Sequence, residues 1–212
     1  MDSYKKTLIF ALVDRLKTLG FEGFIHTTEL VNFLKIARTG YLIPRTTLEQ
    51  KNIKFDDKAN RNVIQKSRES SHFPLECCRF YYFYKTPTNY RANYKKPVII
   101  VLDEKILYDL NYESDYYFTN GNASSKYTVK TQNVTDALSF DWEMIAQRGP
   151  YDSNDFYITR CRNAEFLINK KVSLNFIKAI YFKNREDMIY ASYIIRDDDI
   201  KEKFKVRKEV FN

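Results

Sequence analysis

The sequence predicts an α+β fold, and three observations along its 212 residues support that prediction. Apolar residues recur at helical spacing near the start of the chain. Aromatic and β-branched runs, which are typical of strands, dominate the middle and the end. No internal repeat is present, and no linker rich in proline, glycine or serine divides the sequence, so we expect one domain.

The first elements follow from periodicity and from residues that favour helix ends. A helix is expected over residues 3–18 and a short strand over 23–28. A second helix is expected over 29–39, with Thr28 as its N-cap and Gly40 as its terminator.

The remaining elements continue the mixed pattern. Residues 41–72 are mostly polar, and Asp56 and Asp57 are placed to cap a helix over 60–68. Strands are predicted at 80–84, 97–102, 115–118, 165–168, 179–183 and 204–206, with short helices around Trp142 in a loop-rich segment over 129–149.

Composition favours anionic partners without specifying one. The formal net charge is +8 and the pI is near 9.2. Aromatic residues make up 16% of the chain, including 17 tyrosines, and their rings offer faces on which unstacked bases can stack. Enrichment in Lys, Asn and Tyr is also what an AT-rich genome produces, so this alternative stays open.

Several protein classes do not fit the sequence. No window approaches the roughly 20 apolar residues of a membrane span, and no signal-peptide pattern is present, so we expect a cytoplasmic protein without a membrane partner. The cysteines include the adjacent pair Cys77 and Cys78 and do not form a disulfide framework. Neither His26 nor His72 stands at ligand spacing from a cysteine, so no metal site is expected.

The most informative acid is Glu165, at the entrance of an apolar strand. An isolated carboxylate at this position suggests chemistry on a cationic intermediate. Alternation along a strand places Asn163 and Glu165 on one face and Phe166 and Ile168 on the other. A solvated residue at a sheet edge is the alternative interpretation.

His26 lies where a predicted strand feeds a helix. The exposed amides of such a helix start suit an anionic or hydroxyl-rich ligand, for example a nucleotide. A hydrogen-bonded histidine in the core is the alternative role.

Six short segments, in order between residue 24 and about residue 185, carry a resemblance to a known family. They are FIHTT at 24–28 with Asn32 and GYL at 40–42, IQKSR at 64–68, FYYFY at 80–84, FTNGNA at 118–123, DWE at 141–143 and AEFL at 164–167. The chain thereby resembles the DarT-type ADP-ribosyltransferases, bacterial toxins that use NAD to modify DNA bases.

The resemblance implies a split, strongly bent β-sheet around an NAD cleft with flanking helices. It places an N-terminal helix in residues 1–20, the family-like core in 23–185 and further elements in 186–212. It also implies NAD as co-substrate without a metal, single-stranded nucleic acid, with DNA as the leading candidate, as target, and a macrodomain-type antitoxin as partner.

Site residues are carried over from the family by position. Glu165 and Arg68 are the expected catalytic residues, although an exposed helix cation is the alternative for Arg68. The expected cofactor-binding residues are His26, Thr28, Asn32, Phe80, Tyr81 and Phe83. An aromatic stripe such as 80–84 also fits a core, and Asn32 also fits the solvent side of its helix.

Target recognition is expected in the polar segment between Asn120 and Arg162. The expected substrate-binding residues are Asn122, Lys126, Tyr127, Arg148, Tyr151, Arg160, Arg162 and Asn163. Tyrosines would stack on bases and the cations would neutralise phosphates. A solvated surface charge is the alternative for each cation.

Three departures from the family pattern affect the target more than the reaction. Asn163 stands where Gln is usual, Asn122 where His is usual, and residues 85–89 replace a Pro-Arg-Ser-Pro-Met run. The same NAD chemistry on RNA or on a protein side chain therefore remains an alternative. A non-catalytic nucleic-acid-binding module is a third hypothesis.

Overall fold

The structure is a computed structural model that describes residues 1–56, 76–86, 92–152 and 154–211. Within these residues, helices and strands alternate along the chain. The helices are α1 Ser3–Thr18, α2 Leu30–Thr39, α3 Arg45–Gln50, α4 Val134–Leu138, α5 Trp142–Ala146, α6 Phe156–Cys161, α7 Arg185–Ile194 and α8 Asp198–Lys201. Short 3₁₀ helices cover Glu104–Tyr108, Leu174–Phe176 and Lys208–Val210.

Most strands of the described residues join one sheet. The strands are β1 Phe24–Glu29, β2 Tyr41–Leu42, β3 Cys78–Tyr81, β4 Pro97–Leu102, β5 Tyr116–Thr119, β6 Lys130–Thr131, β7 Glu165–Ile168, β8 Val172–Ser173, β9 Ile177–Phe182 and β10 Phe204–Val206. Their order in the large sheet is β10-β9-β4-β1-β3-β7-β5-β6, and β2 pairs with β8 in a separate ribbon.

The large sheet has two halves that meet along a short seam. Strand β1 pairs with β4 along its whole length, from Phe24 with Leu102 to Glu29 with Pro97. On its other side, the register between β1 and β3 pairs Ile25 with Tyr81. The sheet is therefore split between β1 and β3, as the resemblance implies.

The main core lies on one face of this sheet. The rings of Phe24 and Phe166, from opposite halves, stack with centroids 3.9 Å apart. Helix α1 buries Ile9, Leu12 and Leu16 completely in the same cluster. Because apolar burial stabilises by about 25 cal/mol per Å², this packing holds both halves and the first helix together.

Several predicted elements are confirmed and one cap is wrong. Helix α1 and strands β4, β7 and β10 have the expected bounds, and Gly40 ends α2 in the left-handed region with φ 74°. Thr28 is not the N-cap of α2. Strand β1 continues to Glu29, which occupies the cap position without a side-chain cap bond, because the ladder with β4 extends through both residues.

Other elements are shifted. Strand β3 begins at Cys78 and ends at Tyr81, earlier than the predicted strand over 80–84, because Cys78 already pairs with Ile168 of β7. The predicted helix over 60–68 lies outside the described residues.

The described residues can be compared with the expectations on membrane spans, metal sites and disulfides. None of their helices combines the length and apolarity needed to cross a membrane. Within the described ranges, no three side chains of Asp, Glu, His or Cys lie close enough together to hold a metal ion. The thiols of Cys77, Cys78 and Cys161 are free and buried.

Candidate active site

Glu165 opens strand β7 beside the seam of the sheet. It pairs with Tyr81 of β3, and its side chain is fully buried. Phe166 and Ile168 belong to the main core, whereas Leu167 packs in a small cluster on the other face. The predicted alternation along this strand is confirmed, and it places the carboxylate on the face away from the core.

Glu165 is not isolated, because Arg79 holds its carboxylate. Arg79 Nε and Nη2 donate to Oε1 at 3.0 and 2.5 Å. In the register, Arg79 stands opposite Leu167 and therefore diagonal to Glu165 on the same face, a distance that a long side chain spans. Burial opposes the guanidinium charge, but the adjacent carboxylate raises the pKa of Arg79 above its ordinary value.

A tight turn after β5 supplies the second contact to Glu165. The backbone N–H of Ala123 donates to Oε2 at 2.8 Å. Gly121 permits this turn, since a Cβ there would lie 2.6 Å from Arg160 Cγ. The hydroxyl of Thr119 accepts from the N–H of Glu165 at 2.7 Å, so both the backbone and the carboxylate of Glu165 are fixed.

His26 lies on the other side of the seam. Its Nδ1 is 3.0 Å from the carbonyl oxygen of Arg79. Because a carbonyl oxygen only accepts, Nδ1 carries the proton, and Nε2 keeps a lone pair when the ring is neutral. Burial lowers the pKa of His26, which favours that neutral form. His26 can therefore accept a hydrogen bond from a hydroxyl group.

The other expected cofactor-binding residues have different surroundings. Asn32 exchanges two hydrogen bonds of 2.8 Å with the backbone of Asp56 and so holds that segment. Thr28 is buried within β1. Arg68 lies outside the described residues, so its role stays a prediction.

The aromatic residues of this set divide between core and cleft. Phe80 is fully buried in the main core, with its ring centroid 5.9 Å from that of His26. Phe83 is buried beneath the guanidinium of Arg148, 5.1 Å from the ring centroid, whereas Tyr81 is half-buried.

The loop that carries Ala123 also holds several expected DNA-binding residues. Asn122 Oδ1 accepts from the backbone N–H of Ser124 at 2.9 Å and so shapes the turn. Tyr127 is 61% exposed, with Lys126 Nζ 5.0 Å from its ring centroid. Arg160 donates to the carbonyl oxygen of Tyr127 and ties this loop to α6.

Asn163 does not share a strand face with Glu165. It lies in the turn that follows α6, where its N–H donates to the carbonyl oxygen of Arg160 at 3.1 Å. Its side-chain amide donates to the carbonyl oxygen of Thr159 at 2.7 Å. The expected strand position is wrong because the backbone is still turning at Asn163, and the residue fixes the entry into β7.

Arg148 and Arg162 are not solvated surface cations. Arg148 Nε donates to the carbonyl oxygen of Tyr84 at 2.6 Å. Arg162 is 5% exposed, donates to the carbonyl oxygen of Gly149 at 2.8 Å and lies 4.1 Å from the ring centroid of Tyr151. Arg162 Nε is buried and has no acceptor among the described residues.

Arg148 and Arg162 lie close enough for their positive charges to affect each other. Burial and the neighbouring charge of Arg162 lower the pKa of Arg148 to about 9. Within the described residues, the ion pairs of the structure include no carboxylate for either guanidinium. This cluster therefore suits an anionic ligand.

A cavity of about 490 Å³ opens beside the loop that follows β5. Its walls include Asn120 and Arg160 and the rings of Phe140 and Tyr157, and the Tyr157 hydroxyl donates to Asp141 at 3.2 Å. The volume and the mixture of rings and polar groups suit a ligand of nucleoside size.

The fold is that of ADP-ribosyltransferases of the DarT type. A Thermus sp. 2.9 DarT in complex with ADP-ribosylated ssDNA superposes with a TM-score of 0.73 at 17% identity, covering 89% of this chain and 95% of that one. The same protein in complex with NAD⁺ gives a TM-score of 0.69 at 17% identity, over 89% and 96% of the two chains.

The family itself is shown by the sequence. A profile described as "ssDNA thymidine ADP-ribosyltransferase, DarT" matches residues 25–212, and the chain belongs to this family. Thermosipho africanus DarTG in complex with ADP-ribose gives a TM-score of 0.71 at 20% identity, covering 90% of this chain and 51% of that one. No curated protein sequence matches significantly. The predicted family, fold and enzyme class are confirmed.

Sequence reasoning missed Arg79, Thr119 and the N–H of Ala123. One signal for Arg79 was available, because it is the cation within the otherwise uncharged run from Cys77 to Tyr84. No comparable signal marks a backbone N–H.

Proposed function

We propose that this chain cleaves the bond between nicotinamide and ribose in NAD and transfers ADP-ribose to thymidine in single-stranded DNA. The observation that carries this proposal is the anchored carboxylate of Glu165 at the seam of the split sheet. Family membership supports the acceptor, and the NAD⁺ complex of the Thermus relative supports the donor.

Glu165 would act on the positive charge that develops on the ribose as nicotinamide leaves. A carboxylate fixed near that charge and near the ribose 2′-hydroxyl stabilises the transition state more than the ground state. Its backbone and both oxygens are already held, so little reorganisation is needed. A strong protein nucleophile is not required, because the leaving group is cationic.

His26 would orient the donor from the opposite side of the seam. Its Nε2 lone pair suits a ribose hydroxyl or the carboxamide N–H of the donor. Tyr81, half-buried on the same sheet face as Glu165, would border this position. Arg68, Thr28, Asn32, Phe80 and Phe83 keep the cofactor roles that the resemblance implies, with Phe80 acting through the packing of His26.

Thymidine would enter from the side of the loop after β5. A base must leave the stack before an enzyme can react with it, which favours a single strand. The exposed ring of Tyr127 and the cavity beside Asn120 offer surfaces for neighbouring bases. Arg148 and Arg162 would attract the phosphates, with Lys126 and Arg160 at the rim.

The biological setting is part of the same proposal. We infer a toxin of a toxin–antitoxin or phage-defence system, whose partner is a macrodomain-type antitoxin, as the family resemblance implies. We place it in the cytoplasm, where NAD and single-stranded DNA occur together. We also propose that residues 1–212 form one domain, because α1 buries its apolar side in the main core.

The test is incubation of the purified chain with labelled NAD and, in parallel, single-stranded DNA, duplex DNA, RNA and protein. Mass spectrometry of nucleosides and peptides should find ADP-ribose on thymidine of the single strand, and Glu165→Gln should lower its amount by about 10²–10³. Label on RNA or protein would move the acceptor to the alternative that the altered Asn122 position suggests. No transfer to any acceptor would contradict the proposal.

A further inference from the structure

The ion pair between Arg79 and Glu165 has a place in catalysis that goes beyond charge neutralisation. Arg79 is 29% exposed at its side chain, whereas Glu165 is fully buried, so the guanidinium lies between the acid and the cleft. Both hydrogen bonds from Arg79 to Glu165 go to the same oxygen, Oε1. Together with the N–H of Ala123 on Oε2, they fix the rotation of the carboxylate.

The number of lone pairs on the carboxylate shows how many can still accept a hydrogen bond from a substrate. Each carboxylate oxygen has two lone pairs. Among the described residues, Oε1 receives two hydrogen bonds from Arg79, and Oε2 receives one from the N–H of Ala123. One lone pair therefore remains, on Oε2, and its direction is set by the other three bonds.

We propose that Arg79 is a positioning residue, which fixes the orientation of the Glu165 carboxylate and directs the remaining lone pair of Oε2 toward the reacting ribose. This inference rests on the function proposed above. Arg79 itself does not contact the reacting atoms in this role. Its cation is needed because a buried carboxylate without a partner is costly, so the acid would lose its fixed position once the guanidinium is removed.

The backbone of Arg79 adds a second connection. Its carbonyl oxygen fixes the Nδ1–H tautomer of His26, across the seam. One residue therefore contacts both Glu165, through its side chain, and His26, through its backbone. A substitution of the Arg79 side chain leaves the carbonyl in place, so its effect reports on Glu165 rather than on His26.

The experiment compares Arg79→Met and Arg79→Lys with the wild type in transfer to a thymidine-containing oligonucleotide. For Arg79→Met we expect kcat to fall about 100-fold, since a misoriented group costs this much. KM for NAD should stay unchanged. Arg79→Lys should retain part of the activity, and guanidinium ion should restore part of it to Arg79→Ala.

Arg207→Met is the matched control. Arg207 has a side-chain exposure of 30%, close to that of Arg79, and pairs with Glu22 at 2.7 Å. It follows β10, and its guanidinium lies 4.8 Å from the ring centroid of Tyr181 on β9. We expect its kcat to match the wild type.

Opposite results would overturn the inference. A kcat for Arg79→Met at or above the wild-type value would mean that the ion pair inhibits Glu165. A rise in KM for NAD with unchanged kcat would mean that Arg79 binds the donor diphosphate instead.

A measurement without turnover separates this inference from the proposed function. Urea unfolding of Arg79→Met, Glu165→Gln and the double variant measures the coupling between the two side chains. We expect the stability lost in Arg79→Met to be largely regained in the double variant, because no buried charge is then left unpaired. Additive losses would overturn the inference even if the wild type is active, whereas an inactive wild type with strong coupling would refute only the proposed function.

Discussion

Two regions beside the proposed cleft contain partly or fully buried arginine side chains. In one region the positive charge is paired with a carboxylate, and in the other it is not. Arg79 gives its guanidinium to the carboxylate of Glu165, on the seam of the sheet. Arg148 and Arg162 instead donate to the backbone carbonyl oxygens of Tyr84 and Gly149. The first region is electrically balanced, and the second keeps its positive charge.

The difference matches the role that is proposed for each region. A catalytic carboxylate needs a fixed orientation, and an ion pair with a fork geometry provides it. A surface for a nucleic-acid backbone needs a charge that a phosphate can meet, so a carboxylate there would compete. The pKa of Arg148, lowered to about 9 by burial and by Arg162, still leaves the group protonated near pH 7.

The largest expected effect comes from removing the carboxylate charge in the balanced region. Glu165→Gln keeps the size of the side chain but not the charge, so we expect transfer to fall by about 10²–10³. The rate of labelled ADP-ribose transfer measures it. Glu143→Gln, at an exposed ion pair with Arg15, is the control and should keep wild-type activity. Equal activities of the two variants would remove Glu165 from catalysis.

Removing the positive charges of Arg148 and Arg162 should weaken the binding of DNA and leave the binding of NAD unchanged. For the double substitution Arg148→Gln and Arg162→Gln, we expect KM for the oligonucleotide to rise. The slope of log affinity against log salt should fall by about 0.7 for each phosphate contact that is lost. Titrations at several salt concentrations measure this slope.

The exposed Arg196 offers the control for that change, since Arg196→Gln alters net charge away from the cleft. An unchanged salt slope in the double variant would show that the buried arginines only hold their loop. A change in KM for NAD alone would assign the pair to the donor.

The protonation of His26 should make the stability of the protein depend on pH. Its pKa is lowered by burial, so the unfolded chain takes up this proton first as pH falls below the ordinary value of 6.5. The stabilising effect of the neutral ring is complete above that pH and declines below it, by at most about 1.4 kcal/mol per pH unit. Urea unfolding between pH 7.5 and about 5 should show this decline in the wild type and a smaller one in His26→Asn. Equal declines would refute the prediction.

The smallest effect should come from an ion pair that is neither buried nor catalytic. Lys5 Nζ lies 3.2 Å from Glu113 Oε1, with both side chains about 30% exposed. Because water screens such pairs, we expect Lys5→Met to change the free energy of unfolding by about 0–1 kcal/mol. A loss as large as that of Arg79→Met would mean that burial does not distinguish the two pairs.

The sequence by itself determined most elements and marked Glu165 as the candidate acid. Helix α1 and strands β4, β7 and β10 follow from local periodicity, and the glycine that ends α2 follows from its freedom to adopt positive φ. The order of short motifs identified the family before any contact was known, because motif order is a property of the chain.

Only the tertiary structure decided how the acid is held and where the arginines point. Arg79 and Glu165 are 86 residues apart, and they meet because the register of β3 and β7 places them diagonally on one face. A shift of one residue would put Arg79 on the opposite face. The burial of Arg148 and Arg162, and the turn position of Asn163, likewise depend on how α6 and the preceding loop pack. Neither register nor packing is encoded in a local pattern, so these features needed the folded chain.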